Sequence, residues 1–193
     1  WEYGRAACKQ HIQKALEYAN RDDVNTVVLA SAWPSYFMTS RHGESVLNPK
    51  ALPALERFRR AVANLRSRNK RVFIVLEGPI DDALDPRSRI QRTVLPPGFR
   101  VLEIPPLAKA AMERRSSVIE SLLRRIADEE GAIIIDPMED LCSVDTCPAF
   151  TSSGEAIYHD GGHLRPSYVR EHAQFMDETV LRQPLHASSP VFR

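Results

Sequence analysis

Val118-Ile119-Glu120-Ser121-Leu122-Leu123-Arg124-Arg125-Ile126-Ala127-Asp128-Glu129-Glu130-Gly131-Ala132-Ile133-Ile134-Ile135-Asp136 holds two elements in succession. Val118, Ile119, Leu122, Leu123, Ile126 and Ala127 recur at steps of three and four, which gathers them on one face of a helix. Gly131 follows that stripe, and glycine is the residue that most easily takes the left-handed turn at a helix C-terminus. The run Ala132–Ile135 is then apolar without alternation and too short for a helix, so it reads as a strand buried on both faces. A helix that stops at glycine and runs into a buried strand is half of a parallel α/β unit.

The same pairing recurs along the chain. Val24–Ser31, Arg71–Glu77, Phe99–Ile104 and Ala132–Asp136 read as four buried strands. Helical stripes lie before and between them: Cys8, Ile12, Ala15, Leu16 and Ala19; then Leu52, Leu55, Phe58, Val62 and Leu65, with Arg57, Arg59, Arg60 and Arg66 mainly on the wet side. A last helix starts at Pro166, a residue suited to a first helical turn, and carries Val169, His172, Met176 and Val180. Alternating elements with apolar strands predict a three-layer α/β/α sandwich around a parallel sheet. The domain is expected over residues 1–185, with 186–193 as a tail. Ligands of open parallel sheets sit beyond the C-terminal strand ends, which puts Ser31–Phe37, Gly78–Pro86 and Asp136–Asp140 beside any site. Because a helix comes first, the sheet is expected to lack its opening strands within these residues.

The chain has 193 residues, 43% of them hydrophobic and 26% charged, a composition that supports one folded α/β domain. No apolar run approaches the roughly 20 residues of a membrane span. The net charge of +1 gives no global field toward nucleic acid or anionic lipid. The basic stretch Arg57–Arg71 lacks the aromatic interleaving of a nucleic-acid groove and reads as a solvated helix face. Gly-x-Gly-x-x-Gly, the P-loop and Gly-x-Ser-x-Gly are all absent from the sequence.

Chemistry concentrates in Tyr158-His159-Asp160-Gly161-Gly162-His163-Leu164-Arg165-Pro166. A hydrolytic site needs a histidine to take the nucleophile's proton and a carboxylate to fix its tautomer. Asp160 and His163 are three apart in a glycine-rich loop that can fold the carboxylate back to the ring. The same spacing suits a loop aspartate capping turn amides beside an exposed histidine.

The run Leu141-Cys142-Ser143-Val144-Asp145-Thr146-Cys147, followed by Ile157–Leu164, resembles the end of an SGNH-type hydrolase domain. More specifically, it resembles the SGNH domain fused to bacterial acyltransferase type 3 membrane proteins, which O-acylate cell-surface glycans. Thr26–Tyr36 and Val72–Pro79 are similar to two strands of that family, in the expected order. The resemblance implies an SGNH, flavodoxin-like fold, with His163 as general base and Asp160 as its orienting acid. It places Ser31 and Trp33 where the family lines the pocket near the oxyanion. It implies a glycan acceptor, an acyl donor delivered by a membrane acyltransferase domain, no cofactor, no metal and no nucleic acid. An extracytoplasmic, periplasmic position is implied, in a parent anchored in the inner membrane.

The family's nucleophile is the serine of a Gly-Asp-Ser motif, and that motif is absent here. The family order puts it before Trp1, so the chain is expected to be inactive without a serine supplied from outside it. Arg165 stands where the family commonly has a helix-capping serine, a loss of about 1 kcal/mol. In an oxidising compartment Cys142 and Cys147 would pair, worth about 2 kcal/mol in the loop-entropy view. Their alternative is zinc, because Cys142, Cys147, His159 and His163 have a C-x4-C-x11-H-x3-H spacing. Gly161-Gly162 between the histidines argues against the helix a zinc finger requires. Cys8 reads as a buried thiol on its helix face. Three functions remain: O-acetyl transfer to a cell-envelope polysaccharide, an esterase using water as acceptor, and a non-catalytic glycan-binding or scaffold domain.

Overall fold

The computed structural model describes residues 2–41, 44–95 and 97–181. The expected tail, 186–193, lies outside them, and side chains before Gln10, Cys8 included, are likewise outside the description. In chain order the elements are α1 (Glu2–Ala19), β1 (Thr26–Ala30), α2 (Trp33–Phe37), β2 (Met38–Arg41), β3 (Glu44–Leu47), α3 (Ala51–Ser67), β4 (Arg71–Val75), β5 (Ile90–Val94), β6 (Pro97–Val101), β7 (Leu107–Ala108), α4 (Lys109–Glu130), β8 (Ile133–Ile135), α5 (Pro137–Leu141), β9 (Thr146–Cys147), α6 (Pro166–His172) and α7 (Asp177–Val180). Short 3-10 turns at Asp82–Leu84, Pro86–Arg89 and Gln174–Met176 fill the connections.

The central sheet is parallel, in the order β1-β4-β8. Val27 lies opposite Val72, and Phe73 opposite Ile133. Each successive strand adds on the same side, so right-handed crossovers carry α3 and α4 to one face. There Leu55, Val62 and Leu65 of α3 meet Ile119, Leu123, Ile126 and Ala127 of α4 over Val27, Val72 and Ile74. Gly131 ends α4 at φ 70°, and its amide donates to the carbonyl of Ala127.

Side chains alternate across β4, so Arg71 and Phe73 point to the opposite face. Phe73 is fully buried there. Arg71 stacks over its ring at 5.1 Å, and its guanidinium donates to the carbonyls of Glu178 and Leu181, which brings the α7 region against that face. Lys70, also buried, donates from Nζ to the carbonyls of Arg21 and Val24, and so ties the turn after α1 to the start of β4. A second cluster of Leu84, Leu141, Ala149, Ile157 and Tyr158, with Tyr168 and Phe175 against it, sits beneath the loops beyond the strand ends. The result is an α/β fold with a parallel sheet flanked by helices.

Three expectations are corrected. Phe99–Ile104 is not a buried strand of this sheet. Pro97–Val101 pairs antiparallel with Ile90–Val94 in a separate hairpin, with Phe99 opposite Arg92. Pro97 has no amide to give a central ladder, and the charged Arg100 between Phe99 and Val101 marks a two-sided ribbon. The last helix is broken: α6 ends at His172, a 3-10 turn spans Gln174–Met176, and α7 is a separate turn. Finally, the described side chains of the first helical stripe do not all reach the core. Ala19 packs on it, whereas Ile12 is 53% exposed.

Candidate active site

The loop carrying Asp160 and His163 is closed at its base by backbone pairing. Tyr158 bridges to Leu164, the His159 amide donates to the His163 carbonyl at 2.7 Å, and the Arg165 amide donates to Ile157. Beneath it, Ile157 and Tyr158 are buried. Burial pushes the Tyr158 phenol far up, so it stays neutral. The loop therefore stands on a fixed platform.

Within the loop, the amides of Gly162 and His163 donate to Asp160 Oδ1 at 3.0 and 2.9 Å. His163 Nδ1 lies 3.0 and 2.9 Å from the two carboxylate oxygens. The His163 amide, then that of Gly162, then the ring hold the Asp160 carboxyl down to about 2. An ionised carboxylate accepts only, so Nδ1 is the donor, and in the neutral ring the free lone pair is on Nε2. The His163 side chain is 86% exposed, which leaves Nε2 open to a reactant. Asp160 thus caps two turn amides and meets the ring of an exposed histidine, a geometry that a base and its orienting acid also require.

A second layer fixes the loop from outside. The Asp81 amide donates to the Gly161 carbonyl at 2.8 Å. A Cβ on Gly161 would lie 3.0 Å from the Asp81 carbonyl oxygen, so any other residue would require the Asp81 backbone to give way by a few tenths of an ångström. Asp81 is held in turn by the Ala83 amide and by Arg115 of α4, whose Nη1 donates to Asp81 Oδ2 at 2.9 Å and to the Ile80 carbonyl. The Ala83 amide first, and Arg115 after it, keep the Asp81 carboxyl low. Asp85 and Arg87, paired at 2.8 Å, lie near enough to Asp160 for its charge to push both of them upward.

Beside the loop lies a cleft of about 460 Å3 whose walls include Pro34, Ser35, Glu77, Ile80, Arg115 and Met138. Ile80 is shared, because a Cβ on Gly162 would come 3.2 Å from it. Glu77 follows the end of β4 and is half-buried. Burial, then the like charge of Glu120, pushes it up to about 7. Sequence reasoning did not single out Glu77; its signal was a carboxylate placed directly after the apolar run Val72–Leu76. Reasoning also missed the Arg115–Asp81 tie, which links residues 34 apart in the chain.

Trp33 is placed in the core. Its indole donates to the Val75 carbonyl at 2.7 Å, and its ring packs edge-on against Phe58. Its neighbours Pro34 and Ser35, rather than Trp33 itself, line the cleft. Ser31 is half-buried at the end of β1, its carbonyl accepting from the Trp33 amide. Arg165 occupies the N-cap of α6 without a side-chain cap and is exposed. Cys142 and Cys147 are joined by a disulfide, which commits both sulfurs and leaves no thiolate for a zinc set. Among the described residues, Glu155, Glu171 and His172 bring metal-ligating atoms together, all on exposed side chains, and that group includes neither Asp160 nor His163.

Among the described residues no helix is long and apolar enough to cross a membrane. The family model described as an SGNH domain fused to AT3 domains matches residues 2–178. Among curated proteins no match was found. Among solved structures, the chain is similar to the Salmonella ser. Paratyphi A lipopolysaccharide acetyltransferase periplasmic domain, at 16% identity and a TM-score of 0.47. That likeness covers 82% of this chain and 57% of the other, so the chain spans little more than half of that domain's length.

Proposed function

This chain belongs to the family of SGNH domains fused to AT3 domains, and from that membership we propose that it carries the base and orienting acid of an O-acyl transfer site acting on a cell-envelope glycan. The observation that supports this reading best is the Asp160–His163 pair, with Nδ1 held by an ionised carboxylate and Nε2 facing outward.

Two steps follow from that geometry. His163 Nε2 takes the proton of a serine hydroxyl, and the serine oxygen attacks the acyl carbonyl and displaces the donor. The imidazolium, stabilised by Asp160, returns its proton to the leaving group. His163 then takes a proton from a sugar hydroxyl, whose oxygen attacks the acyl-serine and regenerates the hydroxyl. The serine comes from outside these residues, since Gly-Asp-Ser is absent from them. The edge of β1 away from β4 is unpaired among the described residues, and offers that segment a place to add. The acyl group arrives from the membrane acyltransferase domain, and the site faces the periplasm in a parent anchored in the inner membrane. No cofactor enters either step.

Hydrolysis is the second reading, favoured by one observation: the His163 ring is open to water. Product partition separates the two. With the serine-bearing segment present, incubation with an acetyl donor and a saccharide should give acetylated saccharide, detected by mass spectrometry. Free acetate alone would establish the esterase. Saccharide binding with no acyl turnover would leave only a glycan-binding domain.

A further inference from the structure

The hairpin Ile90–Val101 stands apart from both large cores and has a sided pattern. The facing pairs Ile90–Val101, Arg92–Phe99 and Val94–Pro97 share one face, because antiparallel partners project together. The reverse face carries Gln91–Arg100 and Thr93–Gly98. The apolar face is uncovered. Ile90 is 54% exposed, Phe99 76%, Val101 74% and Val94 80%, and Leu95 at the tip reaches 91%. Exposure on this scale in a contiguous patch marks an interaction surface.

Charge decides what the surface fits. From Arg87 to Glu103 the chain carries four arginines and a single acid. Arg87 is paired with Asp85, and Arg89 stacks on Phe150. Arg92 and Arg100 are exposed, one on each face of the ribbon. Arg92 lies two residues back from Val94, about 7 Å along the strand. That length falls within the roughly 5–10 Å by which an apolar face buries at the headgroup and acyl boundary. An apolar tip one strand-step beyond a pair of arginines suits an anionic bilayer. A second copy laid face to face would instead drive Arg92 toward its own image, like charge against like charge.

We propose that the Ile90–Val101 hairpin is a membrane-docking element, with Val94 and Leu95 entering the interface of an anionic phospholipid bilayer, Arg92 and Arg100 on its phosphates, and Phe99 level with Arg92 at the headgroups. The element does not depend on the acyl-transfer reading, since neither Asp160 nor His163 takes part. Docking at the lipid surface would hold the Asp160–His163 loop at a fixed height above the bilayer.

Co-sedimentation of the purified protein with vesicles tests this. Vesicles of phosphatidylcholine mixed with phosphatidylglycerol should bind the protein at least tenfold better than phosphatidylcholine alone, and added salt should weaken that binding. Leu95→Asp with Val94→Asp should abolish it. Arg92→Gln and Arg100→Gln should each weaken it about fivefold. Val144→Asp, at an exposed valine elsewhere, should leave it unchanged. Circular dichroism confirms that each variant is folded. Equal binding to both vesicle types, binding insensitive to Leu95→Asp, or a dimer lost in Leu95→Asp without any vesicle binding would each overturn the proposal.

Discussion

In the proposed site the two ring nitrogens of His163 have different jobs, because Nδ1 meets the Asp160 carboxylate and Nε2 does not. Two amides and the ring hold the Asp160 carboxyl to about 2. An unfolded aspartate titrates near about 3.9. These contacts therefore stabilise the fold fully above about pH 4, and the contribution is lost as pH falls toward about 2. The Asp160 carboxyl resonance followed by NMR should titrate close to about pH 2, and a midpoint near about 3.9 would show that the loop does not hold it. Glu77 behaves in the opposite sense. Its folded value of about 7 exceeds its unfolded value, so the folded state keeps an extra proton between about pH 4.5 and 7 and stability falls as pH rises through that window. Glu77→Gln should be more stable than the parent at about pH 8 and close to it at about pH 4 in urea unfolding. A difference that does not change with pH would remove burial of that carboxyl from the account. That Asp160 could fold back to the His163 ring was readable from the three-residue spacing and the two glycines between them. The Asp81–Gly161 contact that seats it was not, because it joins segments 80 residues apart.

Two elements position the site, and each has a single weak point. The loop approaches Asp81 closely at Gly161, where a side chain would press on the Asp81 backbone. Gly161→Ala should cost about 1–3 kcal/mol by overpacking and should shift the loop. A crystal structure of that variant with an unmoved His163 would contradict the role given to the Asp81 contact. The short loop closed by Cys142 and Cys147 gains about 2 kcal/mol from the bond in the loop-entropy view. Cys142→Ser with Cys147→Ser should lower urea stability by about that amount, whereas an unchanged midpoint would mean that the surrounding packing already fixes the segment. The buried strands and the Gly131 stop were legible because propensity and environment agree there. Ile90–Val101 was misread because only half of its alternation, Phe99–Ile104, looked like a core run. Its partner strand, with Gln91, Arg92 and Thr93, shows the ribbon it belongs to. The final helix was overextended because Val169, His172, Met176 and Val180 keep helical spacing, although the backbone turns at Ala173.

For the molecule as a whole, the parallel sheet explains why the site lies where it does. Beyond the C-terminal ends of β1, β4 and β8, the segments Pro34–Ser35, Glu77–Ile80 and Met138 meet around one cleft, and the His163 loop seats against Ile80 and Asp81. Residues without adjacent chemistry in the sequence are brought together by strand order alone. The fold class was legible because alternation of helix and strand is a long-range pattern written locally. The nucleophile was not, because no Gly-Asp-Ser occurs in these residues. The central claim is therefore that His163 is the base for a serine supplied from outside the chain. Turnover of a chromogenic acetyl ester by this domain together with its serine-bearing segment tests it most directly. His163→Ala should reduce the rate by about a thousandfold or more, with the circular dichroism spectrum unchanged. A variant that stays folded and retains activity within about tenfold of the parent would contradict it.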